Sequence, residues 1–433
     1  MKRIFPAYTY GPGPRVGCWW DETIAAPHWP ALAGKVKADI AVIGAGFTGL
    51  SAALHLAQEG ASVAVLEAET PGWGASGRNG GFCCLGGSKL GYPAMVRRYG
   101  TAAADAYEKA EYDAVALVAG LLSEHGIEAD THSKGETLLA HGPRAMRALR
   151  RAADNEGTLH EPNELPGLGF GGQFHGGYTN PVGFGLNPRK YLLGLADVAR
   201  KAGAELFAQS LATSITRTGQ GHAVATPQGR VDCDMVLICT NGYSSEGLPD
   251  WLAGRYMPAQ STVLVTRPLS DAELQAQGWT SDQMCYDTRN LLHYFRLMPD
   301  RRFLFGMRGG LMSSPRAESA IRVRVRRDFD RMFPAWTGVE ASHMWSGLVC
   351  LLRNLKPYVG PVPGRPGLFA GLAYHGNGVA MGTYCGRALA QLALGRSTAL
   401  PLVLSQPPRR FPLGRFRRAL MPPIYAALAL SDL

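Results

Sequence analysis

Six consecutive residues near the start of the chain have the spacing of a phosphate-binding turn. Gly44-Ala45-Gly46-Phe47-Thr48-Gly49 is a G-x-G-x-x-G run. It stands between an apolar run, ADIAVIG, and a run with helical period, FTGLSAALHLAQEG. In that setting Gly44 permits the turn, Gly46 lets backbone approach a pyrophosphate, and Gly49 lets the helix pack on the strand. The helix N-terminus behind Phe47 and Thr48 offers unpaired N–H groups and the positive end of a dipole. Glu67 closes the next predicted strand, ASVAVLE, 18 residues after Gly49. A carboxylate there accepts hydrogen bonds from a ribose diol, so the spacing predicts a dinucleotide site.

Two further stretches bear on that dinucleotide. Gly72–Gly81, GWGASGRNGG, follows Glu67 almost directly. A simple NAD domain would continue into another helix and strand. A loop rich in Gly, Ser, Arg and Asn, including Ala75, Ser76, Arg78, Asn79, Gly80 and Gly81, predicts backbone lying against a large planar cofactor. Near the other end, AYHGNGVAMG (Ala373–Gly382) separates a strand-like run, Leu368–Leu372, from a helix-like run, Thr383–Leu394. This is a second anion-binding corner, carrying His375, Gly376, Asn377, Gly378 and Val379.

The elements that must position these residues follow from period and punctuation. The chain has 433 residues, above the size at which single cores usually split. Nucleotide-type strands and helices occur around 38–85, 190–245 and 366–395, with helical segments and sheet-like runs such as STVLVTRPL and RRFLFGMRGG between them. The alternation predicts a chain weaving between two domains. The expected allocation is an irregular N-terminal arm over 1–35; a discontinuous cofactor domain over 36–95, 185–250 and 344–400; a substrate domain over 96–184 and 251–343; and a basic, apolar tail over 401–433.

Composition narrows the partners. Forty-four Lys and Arg against 34 Asp and Glu give a net charge of +10. The arginines gather in two separate clusters, around Arg322–Arg331 and Arg409–Arg418. No continuous basic face with interleaved aromatics results, so nucleic acid is not expected as a partner. The tail either packs on the body or lies on a membrane surface. The eight cysteines lack C-x-x-C or metal-ligand spacing, which predicts no metal and a reduced, cytoplasmic protein. Cys83–Cys84 reads as a packing pair. Residues 1–34 contain no signal-peptide core, and the apolar run Ile40–Leu56 is shorter than a membrane span.

Taken together, Glu67 followed by GASGRNGG, then WSGLVCLLRNLKPYVGPV (Trp345–Val362) and YHGNGVAMGTYCGRALA, resembles the D-amino-acid-oxidase-type flavoproteins. Within them HYFRL (His293–Leu297) and YMPAQSTVLVT (Tyr256–Thr266) resemble the γ-glutamylputrescine oxidase branch. The resemblance runs from about residue 36 to 420. It implies an α/β fold in which an FAD-binding Rossmann-like domain is interleaved with a substrate domain built on a mainly antiparallel sheet plus helices. It also implies oxidation of an amine by hydride transfer to FAD. By position, Gly44, Gly46, Gly49 and Glu67 belong to the ADP half. Ser76, Arg78, Asn79, Gly80 and Gly81 lie near the pyrophosphate and ring. Ala212, on a strand after Gln209, touches adenine through its backbone, and Thr240 and Asn241 close that end. Gly376–Val379 sits at the flavin pyrimidine edge, where a helix N-terminus stabilises the charge of reduced flavin.

Departures from the family pattern speak to substrate. Amino-acid oxidases often carry arginine in a pattern resembling W-x-G-L-R-P; here Val349 stands at that place. Sarcosine-oxidase-like members carry a lysine after the G-H-G corner; here the place is Ala380. Neither residue can pair an α-carboxylate, and an unpaired buried charge is costly. An amine whose carboxylate is distant or missing fits better. His375 precedes the first glycine instead of standing between the two, and is read either as a proton acceptor at the flavin edge or as a structural histidine. Tyr294 and Arg296 share one strand face and, with Trp345, are candidate substrate contacts; Arg308 is a candidate for an acidic substrate end. No separate base is evident, and a neutral amine does not require one. The expected reaction yields an imine, then aldehyde and ammonia, with oxygen or another acceptor reoxidising the flavin. The alternative is a D-amino-acid or amine dehydrogenase that passes electrons to a membrane quinone.

Overall fold

A computed structural model describes residues 2–153, 156–310, 312–396 and 400–432. The remaining positions, which fall inside the predicted 1–35, 96–184, 251–343, 344–400 and 401–433 segments, lie outside the described residues. Two large sheets organise the molecule. The first has six strands in the order Tyr358–Pro361, Leu368–Leu372, Met235–Ile238, Ile40–Ile43, Val63–Leu66, Glu205–Phe207. All pairs are parallel except the Tyr358–Pro361 edge. Ile40–Ile43 and Val63–Leu66 are buried at every position, as expected of a parallel sheet covered on both faces. Helices Phe47–Gln58, Thr101–Glu124, Pro188–Lys201 and Ala380–Ala393 pack with it through a core that includes Val42, Leu50, Leu54, Leu237, Met381 and Leu389.

The second sheet has eight strands: His343–Leu352, Tyr256–Val265, Phe303–Arg308, His293–Leu297, Met284–Asp287, Glu136–Leu139, Gly177–Asn180, Thr158–His160. Only the Met284–Asp287 and Glu136–Leu139 pair is parallel. One face is covered by helix Pro315–Met332 over an aromatic cluster of Trp279, Phe295, Phe303, Phe305, Phe333 and Trp336. Each such ring buries on the order of 150–250 Å², so this cluster fixes the sheet that frames the site. A four-stranded sheet (Gly34–Lys37, Gly229–Cys233, Gly221–Ala225, Ser214–Thr218) and a two-stranded ribbon (Phe82–Cys84 with Gly183–Gly185) complete the set among described residues.

Several expectations need correction. His343–Leu352, placed by sequence within the 344–400 cofactor segment, pairs along its whole length with Tyr256–Val265. Its ten residues continue the antiparallel sheet, and only after the turn at 353–357 does the chain return to the parallel one. Ala212 lies in the loop between Glu205–Phe207 and Ser214–Thr218, not on a strand. The N-terminal arm is less irregular than predicted: it holds a short helix, Trp20–Thr23, and ends in strand Gly34–Lys37. The tail forms helix Met421–Ser431. It is tied to the body by Arg417, 1% exposed, whose Nε donates to the Tyr256 carbonyl at 2.9 Å and whose guanidinium pairs Glu246 at 2.7 Å. Asp432 accepts from the Asn290 and Leu291 backbone N–H groups at 2.8 and 3.1 Å. No helix among the described residues is long and apolar enough to cross a membrane.

Candidate active site

The first glycine corner is built as a backbone cradle. Gly44 adopts φ +101°, a region that favours glycine. A Cβ on Gly49 would stand 1.9 Å from the Gly44 carbonyl oxygen, so the helix seats on its own turn only without a side chain. Glu67 orients the turn: its Oε2 accepts from Ala45 N–H and its Oε1 from Glu69 N–H, both at 3.1 Å. Burial pushes its carboxyl upward against those two donors. Ser76 Oγ accepts from Phe47 N–H at 3.1 Å, which locks the 72–81 loop onto the helix N-terminus. Asn79 holds that loop internally, donating to the Ala75 and Ser76 carbonyls and accepting from Gly81 N–H at 2.8 Å.

An elongated cavity runs along this cradle. Gly44, Gly46, Phe47, Thr48 and Glu67 line one side, with Ala75, Ser76, Asn79, Ala212, Thr240 and Asn241. Its far end reaches Leu348, Val349, His375, Gly376 and Gly378. A second cavity opens beyond. The two share Ala75, Asn79, Leu348, Val349 and Gly376, so both glycine corners meet one continuous space. A carboxylate for a ribose, backbone N–H groups for a pyrophosphate, and an apolar, glycine-bordered junction for a flat ring system fit FAD in sequence along it. Arg78, 2% exposed, gives its Nε to the Trp73 carbonyl and its Nη1 to the Ser346 carbonyl, while Nη2 has no hydrogen-bond partner. An orphaned buried N–H on that wall is a further donor for such a group.

Sheet register sets the second, reaction cavity. Ser261 stands opposite both Gly347 and Arg308, and Gly306 stands between Val263 and Tyr294. Ser261, Val263, Tyr294, Arg308 and Gly347 all line the cavity. A Cβ on Gly306 would lie 2.0 Å from the Tyr294 ring, so the glycine is what lets that ring lie across its strand. Tyr294 also bonds Ser261 at 3.2 Å and meets Phe82 edge-on at 5.5 Å between centroids. Arg308 Nη2 donates to the His375 carbonyl at 2.8 Å, joining the substrate sheet to the second glycine corner. Asn377 lines the same cavity and donates to the Leu85 carbonyl.

The remaining candidates are committed to holding the walls or the core. His375 is 1% exposed and both ring nitrogens are engaged: Nδ1 donates to the Gly87 carbonyl at 2.9 Å, and Nε2 accepts from Leu352 N–H at 3.2 Å. Those partners fix the neutral tautomer, and burial draws the ring down to about 4. A histidine so held has both ring nitrogens committed to backbone partners, which favours the structural of its two readings. Arg296 lines neither cavity. Its two terminal nitrogens are taken by His132 at 2.8 Å and the Leu186 carbonyl at 2.7 Å, while Nε has no hydrogen-bond partner. Trp345 is fully buried beneath the site and donates to the Arg78 carbonyl at 2.8 Å. Val379 and Ala380 belong to the core beside Met381, and Gly81 supports the loop without lining either cavity.

Sequence reasoning missed two charged groups. Lys89, at the exposed rim, and Glu136, 8% exposed, both line the reaction cavity, with Cys84 and Tyr286. The positive charge of Arg308 lowers the Lys89 ammonium from its ordinary value. Burial raises the Glu136 carboxyl to about 7. Thus cations do enter the cavity, from elements other than the two places where anchors were sought. The one available signal was a glutamate opening an apolar strand, ETLL. Cys83 and Cys84 are buried free thiols, and no His, Cys, Asp and Glu group suited to a metal occurs among the described residues.

Comparison with known proteins agrees with this geometry. The chain is 32% identical over 429 residues to "Probable oxidoreductase OrdL" of Rhizobium meliloti (strain 1021), covering 96% of this chain and 97% of that protein. It is 28% identical over 392 residues to the gamma-glutamylputrescine oxidoreductase of Escherichia coli (strain K12), covering 89% and 90%. Two solved structures share the fold at 19% identity: iminodiacetate oxidase from Chelativorans sp. BNC1 (TM-score 0.70, covering 86% of this chain and 100% of that one) and glycine oxidase from Geobacillus kaustophilus (0.69, 86% and 99%). Residues 39–392 match the model of the DAO, FAD dependent oxidoreductase, family, and the chain belongs to that family of FAD-dependent enzymes.

Proposed function

We propose that the enzyme oxidises the C–N bond of a γ-glutamylputrescine-like or related amine, whose charged groups lie beyond the reacting carbon. One observation carries this reading. The junction of the two cavities is walled by Leu348 and Val349, whereas Lys89, Arg308 and Glu136 line only the cavity beyond it. An apolar segment next to the cofactor and a charged head farther out match that division. The likeness to a gamma-glutamylputrescine oxidoreductase supports the same class.

FAD, held by the residues of the first cavity, would supply a two-electron acceptor for the hydride of the amine carbon; the resulting imine would take up water to give aldehyde and ammonia, with oxygen as the final acceptor, reduced to peroxide. The protein's part is positional. Gly44, Gly46 and Glu67 hold the dinucleotide, and the turn at Gly376 and Gly378 brings a helix N-terminus to the reacting end, where it favours added negative charge. Tyr294 and Val349 border the space for the substrate chain. Only a neutral amine releases hydride readily, and the junction residues Ala75, Asn79, Leu348, Val349 and Gly376 carry no titratable side chain, so on this reading the amine enters unprotonated. Anaerobic mixing with amines and α-amino acids side by side tests the reading. Flavin bleaching by γ-glutamylputrescine is expected; bleaching by none of the amines, or by simple α-amino acids alone, overturns it.

A second reading concerns the acceptor. Leu413, Phe416, Ile424 and Leu430 are exposed on the tail near Arg409, Arg410 and Arg415, a combination suited to an anionic membrane surface. On this reading the enzyme is an amine or D-amino-acid dehydrogenase that reduces a quinone. It requires dye reduction with negligible peroxide, and vesicle binding that is lost on deleting 407–433.

A further inference from the structure

The reaction cavity continues into a third. The two share Glu136, Tyr286, Leu85, Gly86 and Ser88 as a common wall. Beyond that wall the lining brings in Tyr92, Tyr107, Tyr178, Glu108 and Glu111. Among the described residues no Lys or Arg lines this third space, in a protein whose net charge is +10. Burial raises the Glu111 carboxyl to about 7, with Glu108 adding to it, and raises Glu136 to about 7, with Glu111 adding to it. Tyr107, fully buried, turns its hydroxyl toward the Glu111 carboxyl without a well-formed hydrogen bond to it. A buried carboxylate, a half-buried one and an incompletely paired hydroxyl on one cavity are costly unless something occupies it. Carboxylates among aromatic faces suit an ammonium group, which gains both ion pairing and cation–π attraction.

We infer that this third cavity is a subsite for a second cationic nitrogen of the substrate, held by Glu136 and Glu111 among tyrosine rings while the first amine lies at the flavin. The inference rests on the amine reading above and adds to it a rule for choosing among amines. A second ammonium occurs in two substrate types, the α-ammonium of a γ-glutamyl amine and the far ammonium of a free diamine. Lys89 and Arg308 across the shared wall are placed for the carboxylate that only the former carries.

Binding is measured by calorimetry under nitrogen on chemically reduced holoenzyme, which cannot turn the amine over. The ligands form two pairs differing by one ammonium: 1,4-diaminobutane against butylamine, and γ-glutamylputrescine against its des-amino counterpart, N-glutarylputrescine. At least one pair should show a tenfold or greater preference for the ligand with two ammonium groups at pH 8, and which pair shows it names the source. Glu136→Gln and Glu111→Gln should each cut that preference to below threefold without weakening the ligand that lacks the second ammonium. Wild-type enzyme provides a check free of folding effects. Glu136 faces Cys84, Glu111 and Lys89, and Glu111 faces Tyr107 and Glu108; protonating the two glutamates below about 7 removes the negative charge, so the preference should fall between pH 8 and pH 6. Equal binding within both pairs, or a preference untouched by both variants and by pH, overturns the subsite. Flavin that stays yellow with every amine while the preference persists would instead sink the amine reading and leave the subsite standing.

Discussion

The dinucleotide cavity and the reaction cavity meet at five residues yet are built in opposite ways. The first is mostly backbone from short contiguous stretches: a glycine turn, a loop locked by Ser76 and Asn79, and a second glycine turn. The second is side chains from strands far apart in sequence, brought together by register: Ser261 with Arg308 and Gly347, and Tyr294 across from Gly306. Contiguous backbone can be recognised by spacing alone and fixes the cofactor. Dispersed side chains decide the substrate, and no spacing announces them. Perturbing the first should therefore remove the enzyme, and perturbing the second should change what it does.

The largest effect is expected at Gly49. A Cβ there stands 1.9 Å from a backbone oxygen that cannot move without opening the turn. Gly49→Val should abolish FAD retention and sharply lower the yield of folded protein, read by flavin absorbance per chain after purification. A yellow, stable Gly49→Val protein would show that the cradle is not what holds the dinucleotide.

Lys89 comes next. It lines the reaction cavity beyond the Leu348 and Val349 junction, on the side proposed for the substrate's carboxylate. A hydrogen bond to a charged group contributes about 1.5–3 kcal/mol, so Lys89→Ala should raise KM for γ-glutamylputrescine by roughly tenfold and leave that for 1,4-diaminobutane, which has no carboxylate, nearly unchanged. Equal changes for both amines, or none for either, would mean that Lys89 does not meet the carboxylate.

The same contrast explains what could be read in advance. The G-x-G-x-x-G turn, Glu67 and the 72–81 loop lie in one span of sequence, so spacing placed them in one wall. Val349 was legible for the same reason, standing in a recognisable motif. Arg296 shows the limit. Alternation rightly put it on the Tyr294 face, but not that the Leu186 carbonyl and His132 would capture its guanidinium. Val349 also misled in part: the cations it lacks come from Lys89 and Arg308, which reach the cavity only through long-range pairing and a loop. Glu136 was hidden because a single glutamate at a strand end ordinarily faces water.

Glu136 should produce a smaller, pH-dependent effect. Its folded pKa of about 7 exceeds the unfolded carboxyl value, because burial favours the neutral acid. The stability this contributes is present below the unfolded value and is lost as pH rises through about 7. Gln cannot ionise, so Glu136→Gln should match the wild type near pH 5 and exceed it by on the order of 1–3 kcal/mol at pH 8. Urea unfolding of ligand-free holoenzyme at both pH values measures it. Equal stabilities at pH 8 would mean that water or Lys89 already compensates the buried charge.

The smallest effect on catalytic pH dependence is expected at His375, which the sequence left open between a proton acceptor at the flavin edge and a structural histidine. Its Nδ1–H is committed to Gly87 and its Nε2 to Leu352 N–H, and burial draws the ring to about 4. A ring held in this way is expected to stay neutral across the pH range in which an amine oxidation is usually measured, and to contribute no ionisation there. His375→Gln removes the ring while keeping one donor and one acceptor. It should leave every apparent pKa of kcat/KM between pH 5 and 9 in place. The cost should fall on stability, about 1–3 kcal/mol, as expected when a buried hydrogen-bonded group is replaced by an imperfect mimic. Loss of an ionisation near neutrality in that variant would return His375 to the reaction, and would mean that the corner joining the two cavities is chemical as well as structural.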